Sequence, residues 1–271
     1  MINLVAEIGI NHNGDLEVAR KLITLSAIAG FNYVKFQKRN PDICVPDDKK
    51  DLPRATPWGE MTYLKYKKKI EFNYREYEKI NSICKLHKIK WFSSVWDLDS
   101  AGFMAEFCDT VKIPSALITD IDLLAFCRLK YKTVIMSTGM SSEEEIEQAV
   151  KVGNPDVLLH SVAEYPTKIE NLNLNYIHWL QNKYPTKQIG YSGHDDGIYN
   201  TILPIYAGIT WIEKHITLDK NLWGSDHKSS LNPAEMFSMV EKVRDAEKAL
   251  GFYGSRVILE CEKEKREMLR K

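Results

Sequence analysis

From end to end the chain alternates short β-branched apolar runs with stretches whose apolar residues fall at helical spacing. Eight runs read as strands: 4–10 (LVAEIGI), 33–37 (YVKFQ), 90–95 (KWFSSV), 110–115 (TVKIPS), 133–138 (TVIMST), 157–162 (VLLHSV), 188–193 (QIGYSG) and 211–216 (WIEKHI). Helical patterns lie between them. One begins at Asp15 with Leu16, Ala19, Leu22 and Ile23 on a face, and one covers about 73–87. Others start near Asp99, Asp120, Ser142, Asn173 and Asp195, and a last one follows Pro233. Strict β/α alternation implies parallel strands joined by helical crossovers. Eight such units suit a closed α/β structure, the (β/α)8 TIM barrel. An open doubly wound sheet should show a glycine-rich first turn, and the sequence has neither GxGxxG nor a P-loop. The expectation is one barrel domain over 1–271, with a charged helix or tail from about 251. The connection 38–72 is long and holds Pro41, Pro46, Pro53 and Pro57, then a helical stretch near 60–70. It follows a barrel strand, which puts it at the catalytic mouth as a lid or an insertion.

Barrel enzymes carry their chemistry at the C-terminal ends of the strands. Polar residues gather at those tails: Glu7, Asn11 and His12; Lys35 and Gln37; Ser93 and Ser94; Lys112 and Ser115; Ser137 and Thr138; His160 and Ser161, then Glu164 and Tyr165; Ser192 and His194; Glu213 and His215. Strand parity places Glu213 and His215 on one face, and Ile212 and Ile216 on the other with Lys214 between them. Buried charge is costly unless paired or liganded, so lysines, glutamates and histidines at one mouth point to an anionic ligand beside a metal. Lys35 and Lys112 would give point charges to a phosphate, and Ser94, Ser115, Ser161 and Ser192 would complete its cradle. His194 and His215 end neighbouring strands, and two neutral imidazoles with open positions suit a catalytic divalent ion. Glu213 would orient a bound water or join the coordination. His87 and His178 fall in helical stretches and read as structural. His227 sits beside Asp226 on a loop that would close over the site.

Composition narrows the function further. Of 271 residues, 44% are hydrophobic, and 37 basic residues balance 37 acidic ones. There is no global electrostatic case for nucleic acid or an anionic membrane. Lys67, Lys68 and Lys69 read as a solvated helix face. Cys44, Cys84, Cys108, Cys127 and Cys261 form no CxxC and are odd in number, which suggests a reduced, cytoplasmic protein. The opening MINLVAEIGIN lacks a basic n-region and reads as a strand, not a signal peptide. No run reaches about 18 apolar residues, so no membrane span is expected.

In order along the chain, AEIGINHNGD, VKFQ, VKIPS, STGM, EYPT, GYSGH, IEKHITLD and GSDHKSSLNP resemble the sialic acid synthase (N-acetylneuraminate synthase) family. The resemblance implies a (β/α)8 barrel. It implies an enzyme that condenses phosphoenolpyruvate with an N-acetylated amino sugar, giving a nonulosonic acid and phosphate. Lys35, Ser94, Lys112, Ser115, Ser161 and Ser192 would then hold phosphoenolpyruvate, and His194 and His215 would hold Mn²⁺, or Mg²⁺ or Co²⁺. Glu7, Gln37, Tyr165 and Asp226 match positions at the sugar or the reacting centre, with Glu7 or Glu213 handling a proton. Three departures stand out. The family's YSDHT is here YSGHD, with Gly193 in place of an aspartate. KIGSGE is here KIPSAL, with Leu117 in place of a glutamate. The C-terminal antifreeze-like domain of typical members does not follow in this sequence. The expected partners are a second copy, since family members commonly dimerise, and a separate antifreeze-like chain. Two other readings remain open at this point: a phosphosugar aldolase or isomerase, with Lys112 as a Schiff-base nucleophile in the aldolase case, and a non-catalytic barrel that binds a phosphorylated ligand.

Overall fold

The computed structural model describes residues 1–251 and 254–270. Its strands are β1 (Asn3–Gly9), β2 (Tyr33–Lys38), β3 (Pro53–Thr56), β4 (Gly59–Thr62), β5 (Lys90–Val95), β6 (Thr110–Ile113), β7 (Thr133–Ser137), β8 (Val157–Ser161), β9 (Gln188–Gly193) and β10 (Trp211–His215). Eight of them close a barrel in the order β1-β10-β9-β8-β7-β6-β5-β2, with β2 returning to β1 and every pairing parallel. The eight strands read from the sequence are these eight.

The α-helices are α1 (Leu16–Ala29), α2 (Pro41–Cys44), α3 (Tyr63–Ile70), α4 (Tyr74–Leu86), α5 (Leu98–Met104), α6 (Ile121–Lys130), α7 (Glu143–Gly153), α8 (Tyr176–Lys183), α9 (Tyr199–Ile202), α10 (Pro233–Leu250) and α11 (Glu260–Leu269). Side-chain caps fix where several begin. Asp15 accepts hydrogen bonds from the amides of Glu17 and Val18, and Asp120 accepts from Leu123. Asn73 with Glu76, Ser142 with Glu145 and Asn232 with Glu235 form capping boxes. Apolar faces such as Ala19, Leu22 and Ile23 of α1 close the layer around the barrel, and Met236, Met239, Val240 and Val243 of α10 do the same.

Four expectations need correction. The helix expected from Asp195 is only the single turn of α9, followed by a 3-10 turn over Leu203–Ala207 that contains Pro204 and ends at Gly208. Proline has no N–H to continue an α-helix, and Gly208 takes the left-handed conformation that ends the turn. Strand β6 stops at Ile113, and Ser115 sits in a 3-10 turn after Pro114. The 38–72 connection also holds an antiparallel hairpin, β3 with β4, before α3. This insertion packs as a small second cluster: Tyr66 and Ile70 bury against Ile10, with Met61, Tyr63 and Trp223 around them. The guanidinium of Arg54 lies 4.6 Å from the Tyr66 ring and 5.3 Å from the Trp223 ring, tying the insertion to the loop after β10. Lys67 is not solvated as expected. It lies half-buried, 5.3 Å from the rings of Tyr63 and Tyr66, while Lys68 and Lys69 are exposed.

Of the charged terminal segment, residues 252, 253 and 271 lie outside the described residues, and Glu260–Leu269 is helical and largely exposed. Among the described residues, no helix is long and apolar enough to cross a membrane.

Gly190 of β9 sits where the neighbouring strands β8 and β10 pack closely on it. A Cβ there would lie 2.6 Å from both the Trp211 carbonyl oxygen and Leu159 Cδ2. Gly190→Ala should lower unfolding stability by about 1–3 kcal/mol through overpacking, read from the urea midpoint at unchanged m-value.

Candidate active site

Three in-register rows of the barrel build the site. Lys35, Glu7 and His215 are Cα partners across β2, β1 and β10. Ser161, Ser192 and Glu213 are partners across β8, β9 and β10. Gln37, Ser94 and Lys112 are partners across β2, β5 and β6. In-register residues of parallel strands point to the same side of a sheet, so each row projects together into the mouth. There they line a cavity of about 270 Å³, joined by Ser115, Ser137, Tyr165 and His194. Every sequence-predicted site residue therefore lines one cavity except Asp226. Its carboxylate stands beside that cavity, 3.8 Å from His215 Nδ1.

The lysines are not free point charges. Lys112 Nζ lies 2.6 Å from Glu213 Oε1, and Lys35 Nζ lies 2.9 Å from Glu7 Oε2 and 3.5 Å from Glu213 Oε1. Ser192 Oγ donates to Glu213 Oε1 at 3.2 Å, Lys35 donates to Ser94 Oγ at 3.2 Å, and Gln37 Nε2 donates to Glu7 Oε1 at 3.0 Å. All four charged side chains are at least 96% buried, so each ammonium needs a carboxylate in the absence of ligand. Burial pulls Lys112 below the usual lysine range, and Glu213 offsets this only in part. Burial acts the same way on Lys35, but the two carboxylates outweigh it and raise its value. Burial pushes Glu213 up, yet the two ammonium groups hold it below the usual carboxylate range.

Beside this network stand the histidines, with ring centroids 5.5 Å apart. His194 Nδ1 lies 2.7 Å from the Val162 carbonyl oxygen. A carbonyl only accepts, so Nδ1 carries the proton and Nε2 keeps a free lone pair. Burial drives His194 down to about 3, with His215 adding to the shift, so the ring is neutral near pH 7. His215 Nδ1 and Glu213 Oε2 are buried without hydrogen-bond partners. Among the described residues, no group of three or more His, Cys, Asp or Glu side chains is arranged to hold a metal ion. The donors this cavity would offer such an ion are the free Nε2 lone pair of His194 and the imidazole of His215, whose Nδ1 has no partner.

The other polar tails do structural work. His12 stacks on Phe72 at 4.1 Å and accepts from the Gly14 amide. Asn11 Nδ2 donates to the Ile216 carbonyl and Ser230 Oγ. His160 donates to the Leu172 carbonyl, and His227, fully buried, pairs with Thr217 Oγ1 at 2.7 Å. Glu164 accepts from the Lys168 amide and Asn171. Leu117 packs against the hydrophobic core. Sequence reasoning missed Trp96 and Met140, which line the cavity, because apolar residues at strand tails give no polar signal. It also missed the pairing of Lys214 with Asp195.

The barrel and its acid–base mouth define an enzyme of the TIM-barrel class. The sequence matches the NeuB family over residues 22–254, and the chain belongs to that family. It is 34% identical over 258 residues to the N,N'-diacetyllegionaminic acid synthase of Campylobacter jejuni, covering 92% of this chain and 77% of that protein. It is 33% identical over 266 residues to the N-acetylneuraminate-9-phosphate synthase of Homo sapiens, covering 96% and 74%. The crystal structure of the N-acetylneuraminic acid (sialic acid) synthetase from Leptospira borgpetersenii serovar Hardjo-bovis, in complex with citrate, superposes with a TM-score of 0.87 at 31% identity, covering 100% of this chain and 93% of that one.

Glu213 carries most of the compensation for two buried lysines. Glu213→Gln should therefore destabilise the fold by about 3 kcal/mol, measured by denaturant unfolding; a cost under about 1 kcal/mol would show that Lys112 does not depend on it.

Proposed function

We propose that this chain condenses phosphoenolpyruvate with an N-acetylated amino sugar of the N-acetylmannosamine type, forming a sialic-acid-like nonulosonic acid and phosphate. One observation carries the reading: two buried ammonium groups, four serines and two imidazoles share one cavity. Lys35, Lys112, Glu7 and Glu213 sum to no net charge, so the anion's phosphate and carboxylate oxygens take over lysine hydrogen bonds that the glutamates now accept. The hydroxyls of Ser94, Ser115, Ser161 and Ser192 supply further donors. His194 and His215 would hold Mn²⁺, with Mg²⁺ or Co²⁺ as substitutes, and the ion, when bound, supplies Lewis acidity toward the acceptor's aldehyde.

In the reaction, C3 of phosphoenolpyruvate forms a bond to the aldehyde carbon, and the aldehyde oxygen takes a proton. Water adds at C2, its proton passing to Glu7 or Glu213. The tetrahedral centre then breaks its C2–O bond to phosphate, the C2 hydroxyl proton leaves with the phosphate, and C2 becomes the ketone. Gln37 positions Glu7 through their 3.0 Å hydrogen bond. Tyr165, in contact with the His194 ring at 4.1 Å, and Asp226 would face the sugar. A Schiff-base aldolase needs a neutral Lys112; burial favours that form, and the ion pair with Glu213 at 2.6 Å opposes it. Five unpaired cysteines accord with a reduced cytoplasmic setting. Second-copy and antifreeze-like partners belong to the same proposal and would complete the sugar side.

Phosphate release from phosphoenolpyruvate should require both an amino sugar and a divalent ion, measured across a sugar panel with and without Mn²⁺. Release with no acceptor requirement, or none with any acceptor, would refute the assignment. His215→Ala should cut metal-dependent turnover by about a hundredfold or more while circular dichroism stays unchanged. Lys112→Met should weaken phosphoenolpyruvate binding by about 10–100-fold in calorimetry; an unchanged affinity would move the phosphate site elsewhere.

A further inference from the structure

Behind the histidines, on the helix-facing side of the barrel, lies a second buried ion pair. Lys214 is fully buried, and its Nζ lies 2.8 Å from Asp195 Oδ1 and 2.5 Å from the Asp195 carbonyl oxygen. Asp195, 1% exposed, also accepts from the Tyr191 hydroxyl at 3.1 Å. Each partner is covalently next to a cavity histidine: Asp195 follows His194, and Lys214 precedes His215. The in-register neighbour of Lys214 on β9 is Gly193. A side chain at 193 would thus stand directly across the ladder from Lys214, the closest place for a carboxylate partner. Gly193 has an ordinary backbone conformation, so what forbids a side chain is space. A Cβ there would lie 2.6 Å from Tyr191 Cε1 and 2.8 Å from Asp195 Oδ1. The Tyr191 ring and the Asp195 carboxylate, joined by their hydrogen bond, together fill the volume that a side chain at 193 would use. In this chain position 193 carries no side chain, and the carboxylate stands at 195.

We infer that Gly193 and Asp195 are one coupled unit. They deliver the Lys214 counterion from two residues further along the chain, and so fix the spacing of His194 and His215. Asp195 and Lys214 are positioning residues, since neither lines the cavity. The positioning role rests on the histidine-pair reading proposed above; the coupling does not.

The test is a cycle of Gly193→Asp, Asp195→Thr and the double variant, melted without added metal. Asp195→Thr should lose about 8 °C or more in Tm, and the double variant should regain at least about half of that loss. Should Gly193→Asp alone fail to fold, Asp195→Thr against the double variant still decides. A double variant that melts no higher than Asp195→Thr overturns the coupling. Mn²⁺ titration followed by electron paramagnetic resonance reads the positioning. The dissociation constant should rise about 10–100-fold in Asp195→Thr and return to within about threefold of the parent in the double variant. Unchanged Mn²⁺ affinity in Asp195→Thr overturns the positioning role and leaves Asp195 a fold anchor. If the parent protein itself binds no Mn²⁺, the metal reading of the histidines fails and the positioning role with it, while the melting cycle still decides the coupling.

Discussion

The zigzag of Lys112, Glu213, Lys35 and Glu7 is the constraint around which the barrel mouth is organised. Four formal charges sit almost wholly out of water, where each would cost several kcal/mol alone. Their pairing makes the arrangement tolerable without making it a source of stability. The line continues outward, because Glu7 accepts from Gln37, Gln37 accepts from Arg39, and Arg39 pairs with Glu71. A chain of polar contacts thus runs from Lys112 out to Glu71, and a change at one end repolarises the rest.

The register of the parallel strands makes this chain of contacts possible. Rows of in-register residues converge by construction, so side chains distant in sequence meet without any loop having to reach inward. Of the two histidines, His215 sits in such a row as the in-register partner of Glu7, and His194 does not. His194 lies one residue past β9, where it is oriented by the Val162 carbonyl from the neighbouring strand exit, while His215 ends β10. The strands carry Glu7, Lys35, Lys112 and Glu213, while Ser115, Tyr165 and His194 come from the connections that follow them.

Most of this was legible in the sequence because two periodicities carry it. Alternation by two placed Glu213 with His215 and Lys35 with Gln37, and eight β/α repeats gave the barrel. Failures had local causes. Pro114 ended a strand that its β-branched residues would have continued. The hairpin β3–β4 has four residues per strand, with prolines and threonines where alternating apolar residues would signal a strand. The paired state of the lysines was hidden because sequence gives spacing along strands but not the distances across the barrel. The Lys214–Asp195 pair was within reach of parity alone: a lysine flanked by Ile212 and Ile216 on the buried outer face requires a carboxylate nearby.

The hairpin and α3 make the mouth lopsided. With Arg54 laid on Tyr66 and Trp223, the roof over the β1–β2 flank is fastened to the very loop that holds Asp226. The opposite flank carries Met140 and Tyr165, both at least half exposed, and there the cavity runs on past Ser161 and Ala163 into a neighbouring hollow. The mouth is therefore walled on the β1–β2 side and open on the side of β7 and β8.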